Sequence, residues 1–170
     1  MSIAASNAAA GVYSFLDVQV SLTYQGVTNT FTGSANVGSM GFSEEGVKIT
    51  RTVEKNVMTV GADGAVMHSL RAGRQGRITI SLLKTSPGNA ILNDLYNTQS
   101  VQSSRWGRNL ITLNNLNTGD NITAAVCAFV KQPDNLNRGE GGVMDWEFDA
   151  GFIDEVLGNG GQPTGILNPA

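Results

Sequence analysis

A chain of 170 residues has room for one domain with a sizeable core. Apolar residues make up an ordinary 41%, but charged residues only 15%, against about 25% in a typical globular protein. Asn, Ser, Thr, Gln and Gly must therefore form much of the surface, which suits protein–protein contact better than isolation, because charge is what keeps monomers apart. The formal net charge of −3 and pI near 5.0 argue against a general nucleic-acid binder.

In chain order, residues 2–10 are a low-complexity Ala/Ser stretch that reads as an arm. Residues 13–24 alternate, with Leu16, Val18, Val20, Leu22 and Tyr24 on one face and Asp17, Gln19, Ser21 and Thr23 on the other, so a strand is expected. Gln25 and Gly26 turn it into a partner strand over 27–36. Gly33, Gly38, Gly41 and Gly46 then punctuate what reads as a flexible connection carrying Glu44 and Glu45. Strands are expected at about 47–55, 57–61, 65–72 and 76–84, the middle two joined by an Asp-Gly turn at Ala62, Asp63 and Gly64.

Ser86 reads as an N-cap and Pro87 as the first residue of a helix, whose apolar stripe is Ile91, Leu92, Leu95 and Tyr96. Further strands are expected at 110–113, 121–130 and 143–152, followed by a loop or arm over 158–170. The expected fold is mainly β: an antiparallel sandwich or barrel with one flanking helix. It forms a single domain over 1–170 with flexible arms at 1–11 and 156–170, and no fixed-period repeat interrupts it.

Residues suited to chemistry are few. His68 is the one histidine, placed mid-strand, and no Gly-x-Ser-x-Gly elbow accompanies it. Cys127, the one cysteine, excludes an internal disulfide and reads as a small buried hydrophobe, and two such residues are too few for a metal site. Gly41 to Lys48 has phosphate-loop glycine spacing, but Val47 stands where the lysine is required and two acids would face the phosphates. Asn121-Ile122-Thr123 is a formal glycosylation acceptor that matters only in a secreted protein. Residues 1–11 lack the basic and apolar regions of a signal peptide, and no run approaches about 18 apolar residues. Synthesis and folding in a reducing cytoplasm are expected.

Charge is distributed unevenly. All eleven Lys and Arg precede residue 139, whereas Glu140, Asp145, Glu147, Asp149, Asp154 and Glu155 follow it. Arg71, Arg74 and Arg77 cluster around Gly73 and Gly76, with Arg105 and Arg108 later. No aromatic platform of the kind that stacks on bases stands beside the first cluster. Asp145, Glu147 and Asp149 alternate with Met144, Trp146 and Phe148, giving a strand with one acidic and one apolar face. Arg71, Arg74, Arg77, Glu44, Glu45, Asp145, Glu147 and Asp149 are the candidate contacts, either between subunits or along an aqueous wall. The long, weakly charged strands leave edges that pairing with further copies would satisfy.

The stretch TVGADGAVMHSLRAGRQGRITISLLKTSPGNAILNDLY, residues 59–96, resembles the structural tube proteins of contractile bacteriophage tails. The similarity in element order extends over roughly 11–155 and is most specific over 61–96. It implies a non-enzymatic subunit without cofactor that forms hexameric rings stacked into a hollow tube, with inner sheets joined around the bore. The type VI secretion tube would share that architecture. It also implies residence in the virion tail, tail sheath and baseplate proteins as partners, and genomic DNA passing through the bore without sequence-specific binding. Two other classes compete: a baseplate or head–tail adaptor component, and a small β-rich enzyme or binding module, against which the lone histidine and the lack of clustered aromatics count.

Overall fold

Alternation of apolar and polar residues produces most of the architecture. The computed structural model describes residues 11–32 and 41–160. It contains β1 (Val18–Tyr24), β2 (Val27–Thr32), β3 (Phe42–Arg51), β4 (Asn56–Val60), β5 (Val66–Leu70) and β6 (Gly76–Leu83). These are followed by α1 (Gly88–Ser100), β7 (Asn109–Asn115), β8 (Asn121–Phe129) and β9 (Val143–Val156). Seven strands form one sheet in the order β2-β1-β7-β8-β9-β6-β3, antiparallel throughout, and β4 and β5 form a separate two-stranded sheet.

The large sheet curls around a single core. Val20 and Leu22 of β1, Ile78, Ile80 and Leu82 of β6, and Trp146 and Phe148 of β9 point inward and are fully buried. Although β2 and β3 are its two edges, Phe42 of β3 stacks edge-on to Phe31 of β2 with ring centroids 6.5 Å apart, and to Phe15 at 5.3 Å. Aromatic packing rather than a hydrogen-bonded ladder thus joins the edges, and the expected mainly β, barrel-like class with one flanking helix holds.

α1 covers one end of this barrel. Ser86 Oγ accepts the Gly88 N–H at 3.1 Å, and the helix begins at Gly88, one residue later than the Pro87 start expected. Leu92 is fully buried, with Leu95 and Tyr96 packed against the core. Tyr96 lies edge-on to Phe129 at 5.6 Å, and Trp146 Nε1 donates to Asn89 Oδ1 at 2.9 Å. Gln99 and Asn109, both fully buried, bond each other at 2.7 and 2.9 Å, and Asn109 Nδ2 also donates to the Cys127 carbonyl at 3.1 Å. No helix among the described residues is long and apolar enough to cross a membrane.

Several boundaries differ from the sequence expectation. The first strand starts at Val18, because Ser14 Oγ accepts the Leu16 N–H at 3.2 Å and Phe15–Asp17 forms a 3-10 turn that leaves Leu16 exposed. Glu44 and Glu45 lie inside β3, not in a flexible connection. Between the pairs Phe42↔Leu82 and Val47↔Ile80 the β3 strand carries extra residues, a bulge that sequence alternation does not register. Gly46, at φ +58, ends that bulge with its α-carbon against the Phe15 ring, where a side chain would clash. β3 stops at Arg51 and β9 runs on to Val156. Residues 1–10 and 161–170 of the expected arms at 1–11 and 156–170, and residues 33–40 of the expected second strand and connection, lie outside the described residues.

Candidate assembly surface

The β4–β5 hairpin stands off the barrel. Its turn is the expected one: Gly64 adopts φ +85, Asp63 Oδ1 accepts the Ala65 N–H at 3.0 Å, and Gly61 N–H donates to the Ala65 carbonyl at 2.7 Å. The register pairs Asn56 with Leu70, Met58 with His68 and Val60 with Val66, which puts these six residues on one face. Met58, Val60, Val66 and Leu70 are all exposed, Leu70 by 87%. An apolar hairpin face that no described residue covers is the kind of surface that marks an interaction site. His68 is part of it. Its imidazole meets the Asn56 amide at 3.1 Å, a group that cannot hold it as a catalytic base the way a carboxylate would.

The stem of the hairpin is clipped to the last third of β9. Arg51 donates to the Ile153 carbonyl at 2.6 Å and pairs with Glu155 at 3.5 Å. Arg74 pairs with Asp154 at 2.8 Å and lies 5.2 Å over the Phe152 ring. Arg71 contributes its backbone, its N–H donating to the Lys55 carbonyl at 2.8 Å, while Lys55 Nζ reaches back to the Arg71 carbonyl at 3.2 Å.

The expected acidic strip exists, and the fold brings one of the arginines to it within the same chain. Asp145, Glu147 and Asp149 pair in register with Ser81, Thr79 and Arg77 of β6, while Thr79 and Arg77 pair with Lys48 and Thr50 of β3. Arg77 sits between two of the acids, 3.1 Å from Asp149 and 3.8 Å from Glu147, and Ser81 donates to Asp145 at 2.6 Å. Glu44 and Glu45 are exposed on the β3 bulge, where Glu45 accepts from Ser43 at 3.0 Å.

Among the described residues no cluster of three or more His, Cys, Asp or Glu could hold a metal ion. Burial pushes the Cys127 thiol up to about 12, so at neutral pH it stays protonated, a weak nucleophile. Sequence reading missed Arg51 as part of the stem clip and missed the exposure of the whole hairpin face. The shared parity of Met58, Val60, Val66 and Leu70 about the Asp-Gly turn was the available signal.

Strand edges closed by aromatic packing and a projecting hairpin with an exposed apolar face define a β-barrel that carries a surface suited to contact with other molecules. The chain belongs to the bacteriophage PhiTE tail tube protein family, which it matches over residues 10–158. No curated protein sequence matches it. Among solved structures it is similar in fold to a chain of the PVC sheath–tube complex of an extracellular contractile injection system in its extended state. That likeness has a TM-score of 0.54 and 14% identity, covering 86% of this chain and 92% of the other. It is also similar to a chain of the anti-feeding prophage tube-terminating cap, at a TM-score of 0.52 and 11% identity over 86% of this chain and 91% of the other. At those identities the likeness is one of fold.

Proposed function

We propose that this structural tail tube subunit assembles as hexameric rings stacked into a hollow tube, with the β4–β5 hairpin covering part of a neighbouring copy. The observation that carries this reading is the hairpin's exposed apolar face, which a free monomer would leave in water. The remaining partners follow from the family: a sheath outside the tube, a baseplate at its end, and genomic DNA within, in a virion tail built from subunits made in the host cytoplasm. Its role is mechanical and needs no cofactor or catalytic step.

The outer face of β3, β6 and β9 is the best candidate for the bore. It carries Asp145, Glu147 and Asp149 against Arg77 and Lys48, so the excess charge is negative. A wall of that sign repels phosphate and lets DNA slide, where a lysine-rich wall would bind it. Negative-stain microscopy of purified protein, alongside light scattering, tests the reading. Rings or tubes at high concentration are expected; an 18 kDa-scale monomer under every salt and concentration condition would overturn it.

A further inference from the structure

Where β8 and β9 run side by side, both strands switch phase together. On β8, Ala124 and Cys127 are buried, and on β9 so are Ala150 and Ile153. The partners across the ladder are Ala124↔Ile153 and Cys127↔Ala150, with Ala125 opposite Phe152 between them. Two residues on each strand, Ala125 and Val126 against Gly151 and Phe152, therefore lie outside the core in succession, where regular alternation would turn one of each pair inward. β7 supplies a single residue, Leu110, against the β8 pair, since its register shifts between Asn109↔Cys127 and Ile111↔Ala124.

The backbone at this switch is strained. Val126 has φ +56, a left-handed conformation that a β-branched side chain strongly disfavours and that Asn or Gly adopts readily. Gly151 makes room for it: a Cβ there would lie 3.3 Å from Val126 Cβ. In return, valine at this position adds apolar surface to an outward patch formed by Val126 (56% exposed), Phe152 (47%) and Leu110 (39%). Backbone strain persists only where the surrounding structure over-determines it, and it clusters at functional sites, which singles this patch out.

The geometry points to this patch as a docking site for a second copy of the chain, an inference that rests on the tube reading above. Continuity with the hairpin selects that occupant. Arg74 packs over Phe152, and its carbonyl accepts the Ile153 N–H at 3.0 Å, so the patch adjoins the stem from which the apolar hairpin face projects. A neighbouring copy that covers the hairpin then reaches Phe152 across the charged Arg74 clip, an apolar contact with a polar border.

Two variants test this, each run beside the wild type. Val126→Asn keeps the left-handed backbone, relieves its strain and removes the apolar contact. It is expected to unfold at the same or a higher temperature than wild type, yet to need at least about tenfold more protein to form tubes. Phe152→Ser is expected to share the assembly defect, and it decides alone if Val126→Asn fails to fold. Tubes from the variants at the wild-type concentration would overturn the inference; if those tubes also fail to bind purified sheath protein, the patch belongs to the sheath. A wild-type chain that never assembles would overturn the tube reading and this inference with it. Normal tubes from wild type and variants alike would overturn the inference only.

Discussion

Gln99 and Asn109 exchange two amide hydrogen bonds, 2.7 and 2.9 Å long, in a site sealed from solvent between α1 and β7. Each side chain satisfies the other, and Asn109 additionally ties down the Cys127 carbonyl at 3.1 Å. Asn109→Ala leaves the Gln99 amide buried without its partner, a loss of about 2–4 kcal/mol. Replacing both residues by Leu is expected to cost less than the two single changes together, because neither amide is then orphaned. Urea denaturation of the monomer at low protein concentration measures both.

The Arg74 clip is exposed, so its ion pair with Asp154 contributes about 0–1 kcal/mol to folding. Its expected effect is to hold the hairpin at a fixed angle. Arg74→Ala is expected to leave the unfolding midpoint nearly unchanged while amide exchange across 56–70 speeds up and tube yield falls. Unchanged exchange together with normal tubes would remove the clip from any role in assembly.

Neutralising the acidic strip separates a bore from a subunit contact. With Asp145→Asn, Glu147→Gln and Asp149→Asn combined, tubes are expected to form normally by electron microscopy while DNA passage, scored as infectivity, drops. Loss of tubes would assign the strip to a contact between subunits. Intact tubes with full infectivity would place these acids on a solvated outer surface.

Cys127 makes stability depend on alkaline pH. Burial raises its pKa from an ordinary 9.0 to about 12. Above pH 9 the unfolded chain therefore gives up a proton that the folded chain retains, and stability falls as pH rises through that window. Cys127→Ala is expected to flatten the decline relative to wild type in denaturation series from pH 8 to about pH 11. Ellman's reagent at pH 8 is expected to leave the native thiol unmodified and to react once the chain is unfolded in urea.

Much of the fold was legible because local pattern and tertiary context agree. The Val18, Val20, Leu22, Tyr24 alternation became β1 with that face buried, and the Asp-Gly turn set the hairpin register. Legibility failed where the chain leaves its period. The β3 bulge hid Glu44 and Glu45 from a strand reading, and the phase switch turned Phe152 outward although it shares parity with buried Phe148 and Ala150. Gln99 and Asn109 escaped because a search for apolar stripes passes over a polar pair that satisfies itself in the core. At the site, the charged residues were recognised by type. That Arg77 lies beside Asp149 within one chain follows from the β6–β9 register, set by the whole sheet and not by any local signal.

The hairpin leaves β6 at its first residues and α1 follows the last, so the two elements occupy opposite ends of the same strand. A subunit shaped this way has a head and a foot. In the proposed tube, copies joined through the hairpin to the opposite end of a neighbour would all face one direction, so that one tip would offer free hairpins and the other would consume them. Elongation can then be started at one tip by a base that mimics the foot, and stopped at the other by a single cap. Length becomes a question of when the cap arrives.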